Sequence, residues 1–372
     1  MMAPLRAAFE DRRVCLTGGA GFIGGHLLDA LLSLGAQVVV LDDLSNASAA
    51  HLAEMVELTP DRCRFVHGSI LDDEALAEAT TGAFSAWNRP GGAEVIFHLA
   101  ALGSVPRSIE EPQRTWAVNA TGTVRVLEQA RAAGARRIVF AASSSAYGDS
   151  ERLPKDETML AQALSPYAAS KLAGESLMHA WARSYSASTV SLRYFNVFGP
   201  RQPADSAYAA VVAALASRLL RAEPPLIYGD GRQTRDFTYI ANVVLATLQA
   251  GASRRPLAGE VINIGTGRQT SVRQLADTMA AIIGTGALEP EFRPERTGDV
   301  RYSLADVSRA RELLGYEPFA TLEQGLEETI RWFQQSGLPQ TPPRQASRAA
   351  GGSPDGPARG VGVPPPPRGG SA

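Results

Sequence analysis

The sequence predicts an α/β fold: a doubly wound parallel sheet followed by a smaller C-terminal domain. Short apolar runs of strand length alternate with helix-period segments over the first 200 residues, an order typical of parallel sheets. A glycine-rich turn directly follows the first apolar run, Arg13–Thr17. The length of 372 residues suits one large or two ordinary domains.

The apolar runs and helical periods place the elements in order. Strands are predicted at Arg13–Thr17, Gln37–Leu41, Cys63–His67, Glu94–His98, Arg137–Ala142 and Ser188–Arg193. Helices are predicted from about Ile23 to Gly35, at Pro112–Ala133 and at Pro166–Tyr185. After Gly199 the predicted elements are helices Tyr208–Ala222, Val272–Ile283, Asp306–Leu314 and Leu322–Ser336, and strands Leu226–Tyr228, Arg235–Tyr239 and Val261–Ile264.

These patterns divide the chain into three parts. Residues 1–200 form the predicted first domain, which carries the parallel sheet. Residues 201–337 form the second domain, with some of its strands returning to the first sheet. Residues 338–372 are rich in Pro, Gly, Arg and Ser and are expected to be a disordered tail.

Composition excludes several classes of function. The net charge of −2 gives no reason to expect nucleic acid or an anionic membrane as a partner. No run of 18 apolar residues is present, and the first residues lack the apolar segment of a signal peptide. The histidines lack metal-ligand spacing, so no metal site is expected. We expect a soluble, cytoplasmic protein whose Cys15 and Cys63 are buried free thiols.

The glycine turn matches a dinucleotide-binding pattern. Gly19, Gly21 and Gly24 form G-x-G-x-x-G, and Gly18 adds one more glycine. Glycines let the backbone approach a pyrophosphate, and the following helix directs free N–H groups toward it. A second strand then ends at Asp42, whose carboxylate suits a ribose hydroxyl and repels a 2′-phosphate. The sequence therefore predicts a Rossmann-like fold that binds NAD rather than NADP.

Tyr167 and Lys171 lie four residues apart on a predicted helix, so both occupy one face. An ammonium beside a phenol is expected to lower the pKa of the phenol, which would make Tyr167 a proton acceptor. Ser143, at the end of the preceding strand, is placed to share that proton. With NAD nearby, these residues predict an enzyme that oxidises a hydroxyl group, and this reasoning leaves the substrate open.

Several ordered segments resemble the extended short-chain dehydrogenase/reductases of the NAD-dependent epimerase/dehydratase family. The resemblance covers roughly residues 12–335 and is nearest to the UDP-hexose 4-epimerases, especially those acting on UDP-N-acetylglucosamine. The segments that carry it are Thr17–Gly24, Asp42, His98–Ile109, Ser143 with Tyr167 and Lys171, Arg193–Gln202, Ala207–Val211 and Gly298–Asp306.

The resemblance implies an isomerase that inverts C4 of a UDP-hexose. Tyr167 would remove the 4-hydroxyl proton, with Lys171 and Ser143 in support. Hydride would leave C4 for a tightly held NAD, and the 4-keto sugar would turn and receive it on the opposite face. Family enzymes are usually homodimers, and helices Pro112–Ala133 and Pro166–Tyr185 would supply the interface.

The resemblance also implies two sets of binding residues. Those that would contact NAD are Gly18, Gly21, Phe22, Ile23, Gly24, Asp42, Asn46, Ser69, Ile70, Leu99, Ala100, Ala101, Asn119, Tyr167, Lys171 and Phe195. Those that would contact the UDP-sugar are Ser104, Ser143, Ser144, Ser145, Asn196, Ala209, Tyr228, Arg235, Arg296, Asp299 and Ser303. Ser69 replaces an aspartate usual in the family, and Ala213-Ala214 replaces a Pro-Lys pair of related N-acetyl epimerases.

Ser303 bears most directly on the sugar. The epimerases that are restricted to non-acetylated sugars have a residue resembling a bulky tyrosine at this position. A serine leaves space beside C2 for an N-acetyl group, so UDP-GlcNAc and UDP-GalNAc are the expected substrates, with UDP-glucose and UDP-galactose left open as further ones.

Other functions stay open at this point. The 4,6-dehydratases and decarboxylases of the family have a motif resembling Thr-Asp-Glu or Ser-x-Glu at the position of Ser143-Ser144-Ser145. This chain lacks the acidic side chain of that motif, which disfavours both functions. A UDP-glucuronate 4-epimerase shares the three serines but usually has threonine in place of Asn196. A non-catalytic NAD-binding scaffold has no need of an intact Tyr167, Lys171 and Ser143.

Overall fold

The computed structural model of the protein describes residues 2–88, 91–203, 211–286, 288–295 and 300–336. Its strands are β1 Arg13–Thr17, β2 Gln37–Asp42, β3 Cys63–His67, β4 Val95–His98, β5 Arg137–Ser143, β6 Thr189–Tyr194, β7 Val197–Phe198, β8 Leu226–Tyr228, β9 Thr234–Arg235, β10 Thr238–Tyr239, β11 Ala258–Ile264, β12 Thr270–Ser271 and β13 Glu291–Arg293.

Helices connect these strands. They are α1 Met2–Phe9, α2 Phe22–Ser33, α3 Ala50–Leu58, α4 Asp73–Thr80, α5 Val105–Glu110, α6 Pro112–Trp116, α7 Gly122–Ala132, α8 Pro166–Tyr185, α9 Val211–Leu219, α10 Ile240–Ala252, α11 Val272–Ile283, α12 Ser308–Leu314 and α13 Leu322–Ser336. Short 3-10 turns occupy Gly82–Trp87 and Ser144–Tyr147, and a π-turn occupies Ala117–Thr121.

A seven-stranded parallel sheet forms the centre, in the order β11-β6-β5-β4-β1-β2-β3. The predicted doubly wound parallel sheet is confirmed. The direction of strand succession reverses at β1, between β4 and β2. In such sheets a crevice opens at the carboxyl ends of the strands at this point, and ligands bind there.

The strands are apolar because both faces of the sheet are covered. Val14, Cys15 and Leu16 of β1 are fully buried. One hydrophobic cluster packs α2 and α10 on one face, and a second packs α4, α7 and α8 on the other. Cys15 and Cys63 are buried free thiols, as expected from their apolar surroundings.

The sheet gains its seventh strand from beyond residue 200. The predicted strand Val261–Ile264 is the end of β11, which pairs in parallel with β6. Helix α10 returns with it and packs against α2. A separate hydrophobic cluster, which includes Leu215, Leu275 and Leu326, joins α9, α11 and α13.

Three predicted elements differ in detail. The helix predicted at Pro112–Ala133 keeps helical backbone angles from α6 through α7, but Ala117–Thr121 has π-type rather than α-type hydrogen bonding. The strand predicted at Arg235–Tyr239 forms the two short strands β9 and β10. The helix predicted at Tyr208–Ala222 is described from Val211 as α9, and residues 208–210 lie outside the described part of the chain.

A buried ion pair anchors α8 to the sheet. The Glu175 carboxylate accepts hydrogen bonds from Arg193 Nε at 2.8 Å and Nη2 at 2.7 Å. Both side chains are almost fully buried, at 6% and 5% exposure. Arg193 also stacks over the ring of Tyr147, at 4.5 Å from the centroid. Helix α8 therefore has a fixed position on β6.

Within the described residues, no helix is both long enough and apolar enough to cross a bilayer.

We expect Glu175→Gln to lower the free energy of unfolding by about 3 kcal/mol, because it leaves the Arg193 charge buried without its partner. Urea denaturation followed by circular dichroism measures this change. The matched control is Glu128→Gln, which breaks the exposed pair between Glu128 and Arg131. Its expected cost is below about 1 kcal/mol. Equal losses in the two variants would contradict the anchoring role.

Candidate active site

Two cavities meet at the carboxyl edge of the sheet. The first, called the glycine-turn cleft, has a volume of about 100 Å³ and is lined by the turn after β1 and by residues that follow β2, β3 and β4. The second, called the tyrosine cavity, has a volume of about 540 Å³ and contains Tyr167. Gly18 and Gly21 line the cleft, whereas Phe22 and Ile23 line the cavity. One elongated ligand passing the glycine turn can therefore occupy both.

The glycine turn leaves no space for side chains. Gly18 has φ +76°, and a Cβ there would lie 2.6 Å from the Ala100 nitrogen. A Cβ on Gly24 would lie 2.0 Å from the Gly18 carbonyl oxygen. Helix α2 starts at Phe22 with no side-chain cap, so its first N–H groups and positive dipole end face the turn. This cradle suits a pyrophosphate.

Asp42 ties the end of β2 to the glycine turn. Its carboxylate accepts hydrogen bonds from Ala20 N at 3.0 Å and Leu44 N at 2.9 Å. Burial raises the pKa of Asp42, while these two backbone bonds oppose the rise. Asp42 lines the cleft beside the turn, where a ribose would follow a pyrophosphate.

The remaining predicted NAD contacts divide into two groups. Those that line the glycine-turn cleft with Asp42 are Asn46, Ser69, Ile70, Leu99, Ala100 and Ala101. Phe195 lines the tyrosine cavity. Ser69 also accepts a hydrogen bond from Leu71 N at 3.2 Å.

Asn119 holds the loop between the two cavities. It lies in the π-turn and is buried. Its amide oxygen accepts from Leu102 N at 2.8 Å, and its amide nitrogen donates to Leu102 O at 3.2 Å and Ser170 Oγ at 3.0 Å. The extra residue of a π-turn commonly re-aims a side chain at a functional site. Here Asn119 joins that loop to α8, close to Tyr167.

Tyr167, Ser143 and Lys171 come together where α8 begins against the end of β5. Ser143 lies near the Tyr167 hydroxyl, where hydrogen bonding to it favours the ionised phenol, and both residues line the tyrosine cavity. Ser143 Oγ also accepts from Ser145 Oγ at 2.9 Å. Lys171 lies buried below them, where its ammonium donates to the Ala141 carbonyl at 2.9 Å.

The predicted lowering of the Tyr167 pKa is wrong for the polypeptide by itself. Burial raises the pKa of Tyr167, and the hydrogen bond with Ser143 only reduces that rise. Burial also lowers the pKa of Lys171 to about 8, against the opposing effect of the Glu175 carboxylate. At pH 7 Lys171 is therefore still mostly protonated. The Lys171 ammonium is held by a backbone carbonyl. The four-residue spacing between Tyr167 and Lys171 is therefore not sufficient to place the ammonium beside the phenol.

The predicted sugar-nucleotide contacts line the opposite wall. Ser144, Ser145, Asn196, Arg235 and Ser303 all border the tyrosine cavity. The amide of Asn196 donates to Ser303 Oγ at 3.4 Å. Arg235 donates to the carbonyls of Thr234 and Arg301, at 2.9 and 3.2 Å.

Two predicted contacts lie apart from that wall. Tyr228 lines a small neighbouring cavity of about 50 Å³, which shares Val300 with the tyrosine cavity. Ser104 caps α5 by accepting from Arg107 N at 3.2 Å. Three further predicted residues, Ala209, Arg296 and Asp299, lie outside the described part of the chain.

Sequence reasoning missed other residues of the cavity wall, among them Gly103, Tyr147, Lys155, Gln202 and Tyr302. Tyr147 donates to Asn263 Oδ1 at 2.6 Å, so its hydroxyl is already engaged. Lys155 and Tyr302 lie in segments without helical or strand periodicity. No local sequence pattern could have predicted that they line the cavity, because they reach its wall through backbone pairing with segments distant in the chain.

We expect Gly24→Ala to reduce NAD affinity by at least tenfold, about 1.4 kcal/mol, because the new methyl group collides with the glycine turn. Calorimetric titration of cofactor-stripped protein measures the change. The control Gly25→Ala adds the same methyl one residue later on α2, where the nearest atom is His51 Cδ2 at 3.4 Å. If both variants bind NAD like the wild type, the turn is not the pyrophosphate cradle.

The comparisons with known proteins agree with this geometry. The profile of the NAD dependent epimerase/dehydratase family matches residues 14–265. A UDP-glucose 4-epimerase of Mycolicibacterium smegmatis is 40% identical over 323 residues, which is 87% of this chain and 98% of that protein.

Two solved structures are similar along almost their whole length. The UDP-N-acetylglucosamine 4-epimerase of Methanobrevibacter ruminantium, in complex with UDP-N-acetylmuramic acid, is 31% identical with a TM-score of 0.79 over 88% of this chain and 100% of that one. The UDP-glucuronic acid 4-epimerase of Bacillus cereus, in complex with UDP-glucuronic acid and NAD, is 31% identical with a TM-score of 0.77 over 87% and 99%. The glycine turn, the parallel sheet and these similarities together show that the chain belongs to the NAD-dependent epimerase/dehydratase family of extended short-chain dehydrogenase/reductases and that its cofactor is NAD.

Proposed function

We propose that the protein is a UDP-sugar 4-epimerase that interconverts UDP-GlcNAc and UDP-GalNAc. One observation carries the proposal: Tyr167 and Ser143 share a single cavity with Ser303. A proton-transferring phenol and a small residue therefore face the same sugar-sized space. Proteins similar to this chain include 4-epimerases named for UDP-glucose, UDP-N-acetylglucosamine and UDP-glucuronic acid, so the choice of sugar is argued from the cavity wall.

Tyr167 is the group that moves the 4-hydroxyl proton. NAD, when bound, supplies reversible hydride acceptance at C4. Removal of that hydride requires loss of the hydroxyl proton, which the ionised oxygen of Tyr167 would accept, directly or through the neighbouring Ser143 hydroxyl, leaving a neutral phenol that returns the proton when hydride comes back to C4. Lys171, whose ammonium donates to the Ala141 carbonyl one helical turn from Tyr167, would contribute positive charge that favours the phenolate form.

The nucleotide end of the substrate needs an anion site. Arg235 and Asn196 also border the tyrosine cavity and would hold the diphosphate. Arg296 and Asp299 would complete this anchor on the uridine side. A fixed diphosphate lets the sugar turn in the cavity while the nucleotide stays bound, which inversion at C4 requires.

Ser303 sets the size of the space beside the sugar. It is 8% exposed, and its hydroxyl accepts from Asn196. Its backbone is fixed, because Ser303 N donates to Thr234 O at 3.1 Å. A serine on a rigid segment leaves a permanent recess, and a C2 acetamido group is the substituent that would fill it.

We expect Tyr167→Phe to lower kcat by about 10²-fold or more, the loss typical of removing a positioned general base. The assay measures conversion of UDP-GlcNAc to UDP-GalNAc by chromatography without added NAD. Tyr185→Phe is the control, because Tyr185 is half exposed at the far end of the same helix. Full activity of Tyr167→Phe would remove the phenol from the mechanism. No conversion of any UDP-hexose by the wild type would refute the proposed function.

We expect Ser303→Tyr to reduce kcat/KM for UDP-GlcNAc at least tenfold more than for UDP-glucose, because the ring fills the recess. Parallel kinetic assays with the two substrates measure the ratio. Ser308→Tyr adds the same bulk at an exposed position on α12 and should leave the ratio unchanged. Equal losses for both substrates in Ser303→Tyr would contradict the specificity role.

A further inference from the structure

Lys155 is a buried charged residue to which no role has been assigned above. It lies in the segment between the Ser144–Tyr147 turn and α8, and is 2% exposed. Its backbone is paired with the segment that follows Ser303. Lys155 N donates to Leu304 O at 2.7 Å, and Asp306 N donates to Lys155 O at 2.8 Å. The lysine therefore has a fixed position beside the specificity residue.

Lys155 and Ser303 border the same space. Lys155 forms a parallel bridge with Ala305, and the side chains of bridged residues share a face. Residues two apart in an extended segment also share a face, so Ser303 lies on the side of Ala305 and Lys155. Both Lys155 and Ser303 line the tyrosine cavity. They form one continuous patch of its wall.

The ammonium of Lys155 has unused hydrogen-bonding capacity. It carries three donors, and one is engaged by the Ser150 carbonyl. Among the described residues, no second acceptor and no carboxylate at ion-pair distance faces it. Burial lowers the pKa of Lys155, and Asp149 opposes this only from a distance. A buried ammonium with one protein acceptor gains from a further acceptor, and Lys155 borders a cavity from which a ligand oxygen could supply it.

We propose that Lys155 is a specificity residue whose ammonium donates a hydrogen bond to the carbonyl oxygen of the C2 acetamido group. This inference rests on the proposed function, because the recess at Ser303 is where that group would lie. An amide carbonyl is a strong acceptor that extends beyond the sugar ring, whereas UDP-glucose has only a hydroxyl at C2. Ser303 thus supplies the space and Lys155 supplies the contact.

A purely structural role for Lys155 predicts different kinetics. If the ammonium only ties the loop to the Ser150 carbonyl, its removal changes stability and affects all substrates alike. If it contacts the acetamido group, its removal affects acetylated substrates selectively. The ratio of kcat/KM values for UDP-GlcNAc and UDP-glucose therefore separates the two roles.

The test uses the NAD-loaded enzyme with Lys155→Met, which keeps the apolar stem and removes the donors. We expect kcat/KM for UDP-GlcNAc to fall about tenfold or more, with UDP-glucose changed less than about threefold. Calorimetry should show weaker binding of UDP-GlcNAc and unchanged binding of UDP. Lys155→Gln keeps a donor for the Ser150 carbonyl and replaces Lys155→Met if the latter does not fold, with the same expected order of substrates.

The matched control is Arg152→Met, in the same loop. Arg152 is exposed and pairs with Asp156, and it does not line the cavity. Its kinetics and binding should match the wild type with both substrates, because exposed ion pairs contribute little.

Three outcomes overturn the proposal: equal losses for UDP-GlcNAc and UDP-glucose, unchanged kinetics with both, or a selective loss for UDP-glucuronate. The last would show that the ammonium binds a C6 carboxylate. The proposed function fails separately. If the wild type binds UDP-GlcNAc without converting it, selective loss of that binding in Lys155→Met still supports the contact. If the wild type binds UDP-GlcNAc no better than UDP, both proposals fail.

Discussion

The ion pair between Glu175 and Arg193 is the interaction on which the position of the site depends. It joins α8 to β6 inside the protein, one helical turn after Lys171 and two turns after Tyr167. Arg193 extends the contact to Tyr147, whose hydroxyl donates to Asn263 on β11. Loss of either partner of such a buried pair lowers the stability of the protein, because the remaining charge is then neither paired nor solvated. Tyr167 and Lys171 are therefore placed by the core of the sheet, with little dependence on surface loops.

Burial shifts the two central groups toward their neutral forms. It raises the pKa of Tyr167 and lowers that of Lys171. The phenol thus resists ionisation until a positive charge lies beside it, and the nicotinamide ring of NAD carries such a charge. Under the proposed function, this electrostatic arrangement would couple ionisation of Tyr167 to binding of the cofactor.

The wall that faces Tyr167 is irregular in backbone but rigid. Buried Asp236 accepts four hydrogen bonds: Thr266 Oγ1 at 2.7 Å, Thr266 N at 2.8 Å, Gly267 N at 2.9 Å and Ala305 N at 3.2 Å. Ala305 lies between the backbone partners of Lys155, so the same carboxylate also steadies that loop. The proposed discrimination between sugars would depend on these hydrogen bonds, since a recess that adapts its size cannot exclude a competing substrate.

Local patterns in the sequence were sufficient to predict the fold class, the cofactor and the central pair of the site. The alternation of strands and helices, the glycine turn, Asp42 and the Tyr167–Lys171 spacing are patterns within a few turns or one βαβ unit, so they are visible without a structure. Tertiary structure decided what depends on distant partners. It placed β11 in the main sheet beside β6 and interrupted the α-type hydrogen bonding of the helix at Asn119. Burial raised the pKa of Tyr167, where the sequence predicted a lowering, and backbone pairing brought Lys155 to the cavity wall beside Ser303. The physical reason is the same in each case: burial and backbone pairing depend on residues far apart in the chain, and no local period encodes them.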